Sequence, residues 1–263
     1  MYPVLSVTIR GIFRDRVFHG ILLTSVIFLF IPSISTLSMR QVTELSVTLS
    51  LSLISFILLL LSVFLGGTSL WKDMERRYSF SVLGLPITRR GYLFGRFAGV
   101  AGFIFLTSLV LGAVACAVIW YASGIYPPSR PVVWSTLFLA IIFDALKYIL
   151  LVAVSFLLST VSTSFFLPVF GTISTFLVGC ASQQVYDFVN SPAANEISPI
   201  VRKSASALYY LLPNFSAFDL KVNAIYSIAL SSEGLFLTAA YFTVYTAMVL
   251  AVAASIFSRR ELQ

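Results

Sequence analysis

Residues 132–181, VVWSTLFLAIIFDALKYILLVAVSFLLSTVSTSFFLPVFGTISTFLVGCA, form an apolar run of 50 residues with only two charged side chains, Asp144 and Lys147. About 20 apolar residues cross a hydrocarbon core, so the run is too long for one span and right for two. The natural break is Ser159-Thr160-Val161-Ser162-Thr163-Ser164, followed by Pro168. Clustered hydroxyls compete for backbone hydrogen bonds, and proline is tolerated in a first helical turn or at a kink. The pattern predicts a tight hairpin of two spans, 132–158 and 164–186.

Further apolar runs predict spans at about 20–38, 45–71, 92–121 and 235–257. The expectation is an all-α polytopic membrane protein, a single transmembrane domain over 1–263 with six transmembrane helices. Arg10, Arg14 and Arg16 before the first run have the look of a signal peptide. No convincing small-x-small cleavage site follows and more spans do, so the first run is read as a retained helix.

Composition points the same way. Of 263 residues, 59% are hydrophobic and 10% charged, against roughly 45–50% and about 25% in a soluble domain. Such a chain cannot cover a water-exposed surface, which excludes a cytosolic enzyme and a disordered chain. The net charge of +7 is read as Lys and Arg held in cytoplasmic loops, with no nucleic acid expected as partner. Cys116 and Cys180 lie inside apolar runs, and His19 is the single histidine. No disulfide framework, metal site or catalytic constellation is legible, so a non-catalytic chain without its own cofactor is expected.

The distribution of Lys and Arg orients the chain. With both termini cytoplasmic, Arg10, Arg14, Arg16, Lys72, Arg76, Arg77, Arg89, Arg90, Arg96, Arg259 and Arg260 share one side. Arg40, Arg130, Arg202, Lys203 and Lys221 take the other. Eleven against five favours cytoplasmic termini, and a bacterial inner membrane is the expected location.

Two stretches are neither plain spans nor plain loops. Residues 2–19 place Val4, Leu5, Ile9, Ile12, Phe13 and Val17 near helical spacing, which suits an amphipathic helix in the membrane interface. The outer loop 187–234 is rich in Ser, Pro and Asn and then turns aromatic, as Leu208-Tyr209-Tyr210-Leu211-Leu212-Pro213-Asn214-Phe215. Short helices dipping into the outer interface are expected there, with a plain solvated cap as the alternative. Tyr209, Tyr210, Pro213, Asn214 and Phe215 are the candidate outer gate.

The loop after the second span, 72–91, is the densest in charge. It mixes Lys72, Arg76, Arg77, Arg89 and Arg90 with Asp73 and Glu75, a surface able to pair with a protein partner. A positive-inside anchor with no partner is the alternative. Its details include Asp73-x-Glu75-x-Arg77, Val82-Leu83, Pro86-Ile87-Thr88-Arg89 and Tyr92-Leu93-x-Gly95-Arg96. Elsewhere stand Thr8-Ile9-Arg10, Arg14-Asp15-Arg16, Leu212-Pro213-Asn214-Phe215 and Phe257-x-Arg259-Arg260.

In these motifs the sequence resembles the membrane subunits of type-2 ATP-binding cassette (ABC) transporters, in the subgroup of small six-span permeases. Tyr78 and Arg96 stand where many relatives carry Thr and Lys. The resemblance implies that residues around 73–90 form a coupling helix seated in a separate ATPase, with Asp73, Glu75, Arg76, Arg77, Pro86, Arg89 and Arg90 as coupling residues. It implies that the N-terminal helix, with Arg10 and Arg14, touches the same ATPase. Two permease subunits would pair with two ATPase copies, which bind ATP and magnesium. The chain contains no Gly-x-x-x-x-Gly-Lys-Ser/Thr to cradle phosphates, so ATP energy would arrive through another polypeptide.

Asp144 and Lys147 stand three residues apart, neighbours on one helix face. Each alone would cost roughly 2.5–3.5 kcal/mol at mid-bilayer on insertion scales, so pairing or an inward, wet position is expected. They are read either as a polar contact in a translocation path or permease interface, or as a self-satisfied pair. The leading expectation is an exporter permease for a hydrophobic or amphipathic cargo, such as a lipid, glycolipid or drug. The alternatives are an ATPase-independent secondary transporter or channel, and a membrane assembly factor.

Overall fold

In a computed structural model of the chain, the residues described are 8, 11–12, 19–20, 23, 26–36, 41–67, 70, 88–128, 130–191 and 198–259. All regular structure among them is helical. A 3-10 turn at Val26–Phe30 leads into the short helix α1 (Ile31–Ser35). Helix α2 (Val42–Leu61) runs on through a π-helical turn, Ser62–Gly66. The remaining helices are α3 (Arg89–Ile125), α4 (Trp134–Val161), α5 (Phe166–Val189), α6 (Pro199–Leu211), α7 (Lys221–Tyr226) and α8 (Ser232–Arg259).

Among the described residues, five helices are long and apolar enough to cross a membrane: Val42–Gly66, α3, α4, α5 and α8. This is the make-up of a multi-pass membrane protein. Of the first expected span, 20–38, residues 20, 23 and 26–36 are described, and over 26–35 they form the 3-10 turn and the short α1 instead of one long spanning helix. The interfacial segment 2–19 falls largely outside the described residues.

Helix α4 is the most buried of the five and α8 the least. Helix α4 packs against α2, α3, α5 and α8, so its nearly uninterrupted apolar sequence meets a neighbour on almost every face. The peripheral helices leave large apolar side chains exposed, including Leu109 and Val114 on α3, Phe170 and Leu177 on α5, and Phe236 and Met248 on α8. Surfaces of this kind suit lipid and would be aggregation-prone in water.

The break between α4 and α5 has a local cause. Ser162 leaves the helical region, with ψ 145°. Its hydroxyl accepts from the Ser164 amide at 3.0 Å, taking a backbone donor that a continuing helix would use. Pro168 then sits in the first turn of α5, where its missing N–H costs nothing.

Helix α3 begins earlier than the span expected at 92–121, because the Thr88 hydroxyl caps it by accepting from Gly91 N at 3.1 Å. Arg89 and Arg90, assigned by sequence to the loop 72–91, therefore stand in the first turn of α3. The second helix starts at Val42, ahead of the expected 45. Its π-turn packs on α4, where Ser159 Oγ donates to the Gly67 carbonyl at 3.2 Å and to the Ser155 carbonyl at 2.8 Å.

At the opposite end, side chains tie the loops together. Thr43 Oγ1 donates to the Tyr126 carbonyl at 2.8 Å. Arg130 reaches the Tyr226 carbonyl and lies over the Tyr226 ring. Ser227 is left-handed, with φ 56°, a conformation that costs a non-glycine residue about 1–2 kcal/mol. Its hydroxyl donates to the Pro131 carbonyl at 2.7 Å, which offsets part of that cost.

Candidate functional site

The charged loop contributes little to the described geometry. Asp73, Glu75, Arg76, Arg77 and Pro86 lie outside the described residues, as do Arg10 and Arg14. Arg90 is exposed on the first turn of α3. Arg89 is half-buried, and its guanidinium donates to the Ser258 carbonyl at 3.4 Å near the end of α8. One turn on, Tyr92 stacks with Phe257 of α8 at 6.4 Å between ring centroids. Arg96 donates to Thr8 Oγ1 at 3.1 Å. Thr8 also packs over Gly99, so closely that a Cβ there would come within 2.7 Å of its methyl carbon. The first three turns of α3 thus meet both Thr8 and the end of α8.

The second group lies deep in the bundle. Lys147 Nζ meets Asp144 Oδ1 at 2.5 Å, and Ser55 Oγ on α2 donates to Asp144 Oδ2 at 2.7 Å. Asp144 and Lys147 are 6% and 4% exposed, so the carboxylate meets its charge partner and a neutral donor within a nearly dry environment. The Lys147 ammonium also lies 4.7 Å from the centroid of the Tyr148 ring, a cation–π contact. Asp144 stands ten residues from the start of α4 at Trp134. At 1.5 Å per residue this is about 15 Å, half the thickness of a hydrocarbon core of about 30 Å.

The third group is the outer segment, which folds back into the bundle. Phe215 and Phe218 are fully buried. The Phe215 amide donates to the Gly179 carbonyl at 3.3 Å, and its ring packs near Phe176 at 5.8 Å. A Cβ at Gly179 would stand 2.5 Å from the Pro213 carbonyl oxygen and 2.6 Å from the Phe215 ring. Only glycine lets the backbone of the outer segment approach α5 so closely.

Gln183 is the knot of this group. Its carbonyl oxygen accepts from Tyr209 OH at 3.0 Å and from Asn214 Nδ2 at 2.7 Å. Its amide nitrogen donates to Asp187 at 2.9 Å and 3.1 Å. Tyr186 stacks on Tyr209 at 4.3 Å, while Tyr210 is 74% exposed and meets both rings edge-on. From α8, Tyr241 OH accepts from the Asn214 amide at 2.9 Å and Tyr245 OH donates to the Leu211 carbonyl at 2.8 Å. The candidates Tyr209, Pro213, Asn214 and Phe215 are therefore brought together between α5 and α8, with Tyr210 at the rim.

Sequence reasoning missed Ser55, Gly179, Gln183, Tyr241 and Tyr245. The amide pair Gln183-Gln184 near the end of an apolar run was a usable signal. A serine among the many of α2 carried none. Among the described residues no group of three or more His, Cys, Asp or Glu gathers to hold a metal. No protein-family model matches the chain, and no curated protein matches it.

Proposed function

We propose that the chain is the membrane-spanning permease subunit of an ABC exporter, working with separate ATPases. In this reading the chain has six spans, the first at 20–38, and residues 2–19 lie along the cytoplasmic face of a bacterial inner membrane. Both termini are cytoplasmic. A second permease, most simply another copy of this chain, completes the complex with two ATPases that bind ATP and magnesium. The cargo is hydrophobic or amphipathic.

The observation that carries this reading is the charged sequence 72–96, with its resemblance to the ATPase-coupling element of type-2 permeases. The placement of its final residues supports it. Arg89, Tyr92 and Arg96 stand where α3 meets Thr8 and the end of α8, so force received by the preceding loop would reach all three. Arg89 serves here as a link within the chain, and ATPase docking is assigned to the residues around Asp73, Glu75, Arg76 and Arg77.

The test is co-expression with an ATPase encoded beside this chain. Reversing charge with Glu75→Arg and Arg77→Glu together is expected to abolish co-purification of the ATPase while membrane insertion is unchanged. Normal co-purification and export by the reversed protein would overturn the assignment. An ATPase-independent transporter is the second reading, favoured by the deep Asp144–Lys147 pair, since ionisable groups inside spans commonly mark transport pathways.

A further inference from the structure

A buried ion pair is an inefficient way to hold helices together, because apolar side chains of similar volume are commonly as stabilising or more so. On the Asp144 side, the pair borders a seam between elements that is closed to water in this arrangement. A narrow crevice leads to Asp144 between α2, α4 and the outer segment. Its apolar walls are Leu51, Ile54, Ala140 and Ile141, and Asp144 is one turn deeper along α4 than the last two. Phe218, Asp219, Leu220 and Lys221 close the other side, leaving no water-sized space.

We propose that Asp144 and Lys147 form a headgroup station for a zwitterionic phospholipid, one whose headgroup carries an ammonium and a phosphate. The lipid enters along the crevice when the outer segment around Phe218 withdraws. The argument is charge complementarity under a neutrality constraint. A purely anionic ligand would take Lys147 and leave Asp144 as an uncompensated buried charge, and a purely cationic one would do the reverse; each is strongly unfavourable in a dry interior. A zwitterion exchanges one ion pair for two, its ammonium on the Asp144 carboxylate and its phosphate on the Lys147 ammonium, with zero net charge throughout. Asp219 and Lys221 present a second acid and base at the crevice, while the apolar walls suit the lipid's hydrocarbon. This inference rests on the transport reading for its purpose, although the binding it describes needs no ATPase.

The test uses the full-length chain in detergent micelles, labelled with a photoactivatable phosphatidylethanolamine. Unlabelled phosphatidylethanolamine, phosphatidylglycerol, diacylglycerol and free phosphoethanolamine are the competitors. Phosphatidylethanolamine is expected to compete at least about tenfold better than the other three. The charge-exchanged variant Asp144→Lys with Lys147→Asp is expected to keep this preference, and the apolar variant Asp144→Leu with Lys147→Met to lose it. Equal competition by the three lipids, or an apolar variant that retains the preference, would overturn the station. Free phosphoethanolamine competing as well as the lipid would overturn the lipid as its occupant. The lipid readout is taken without the ATPase, so loss of ATPase co-purification bears on the exporter assignment alone.

Discussion

The Asp144–Lys147 pair and the Gln183 knot are two polar centres among the described residues, and they are built differently. The first sits midway along α4, uses full charges, and depends on two contacts, Lys147 and Ser55, to satisfy one carboxylate. The second lies near the end of α5 and joins Tyr209, Asn214 and Asp187 through one amide. Losing a partner at the first leaves a charge in low dielectric. Losing one at the second leaves a neutral group with other donors close by or, at Asp187, a carboxylate already exposed. Depth therefore turns a similar number of contacts into different consequences.

The largest expected effect follows from the deep pair. Asp144→Ala alone strands Lys147 and is expected to cost about 3–5 kcal/mol, the usual penalty for breaking a buried pair from one side. The double change Asp144→Ala with Lys147→Ala removes both charges and is expected to recover folded, assembled protein. Recovery of monodisperse material after detergent extraction measures the difference. Equal yields from single variant, double variant and wild type would erase the contrast between the two centres.

The next effect belongs to the outer segment. Gly179→Val places side-chain atoms against the Pro213 carbonyl and the Phe215 ring, with an overpacking cost of about 1–3 kcal/mol. Lower heat stability in detergent and faster proteolysis within 212–219 are the expected readouts. Unchanged proteolysis would show that the segment tolerates lifting from α5.

The smallest effect tests the knot itself. Tyr209→Phe removes the hydroxyl bonded to Gln183 and keeps the ring stacked on Tyr186. A net loss of about 0.5–1.5 kcal/mol is expected, visible as a small shift in thermal unfolding. A loss as large as that of Asp144→Ala would mean that the Gln183 network is as brittle as the deep ion pair.

The helical class and the long spans were legible because their signal is local. Runs of apolar residues long enough to cross a bilayer declare themselves, and the hydroxyl cluster ending at Ser164 carries the chemistry that ends α4 and starts α5. The three-residue spacing of Asp144 and Lys147 likewise puts both on one helix face. The rest depends on residues far apart in the chain. Ser55 meets Asp144 across 89 residues, and Asn214 meets Gln183 across 31. Neither contact leaves a periodicity or a motif. Arg89 shows another limit: the resemblance implies an ATPase contact for it, and no motif announces that its guanidinium also donates to the Ser258 carbonyl. Charge identifies a residue able to form a strong bond, and only the fold says with whom.

Helix α3 has a mechanical consequence. At 37 residues it is about 55 Å long, nearly twice the thickness of the hydrocarbon it crosses. One end is fastened to α8 and Thr8 through Arg89 and Arg96, and the other to α2 through the Tyr126 carbonyl. A rod of that length turned by about 10° about one end carries the other through about 10 Å. A small rotation near Arg89 would thus become a displacement of nearly two helical turns at the far loops, which gives α3 the proportions of a lever whose handle is the end next to the charged loop in the sequence.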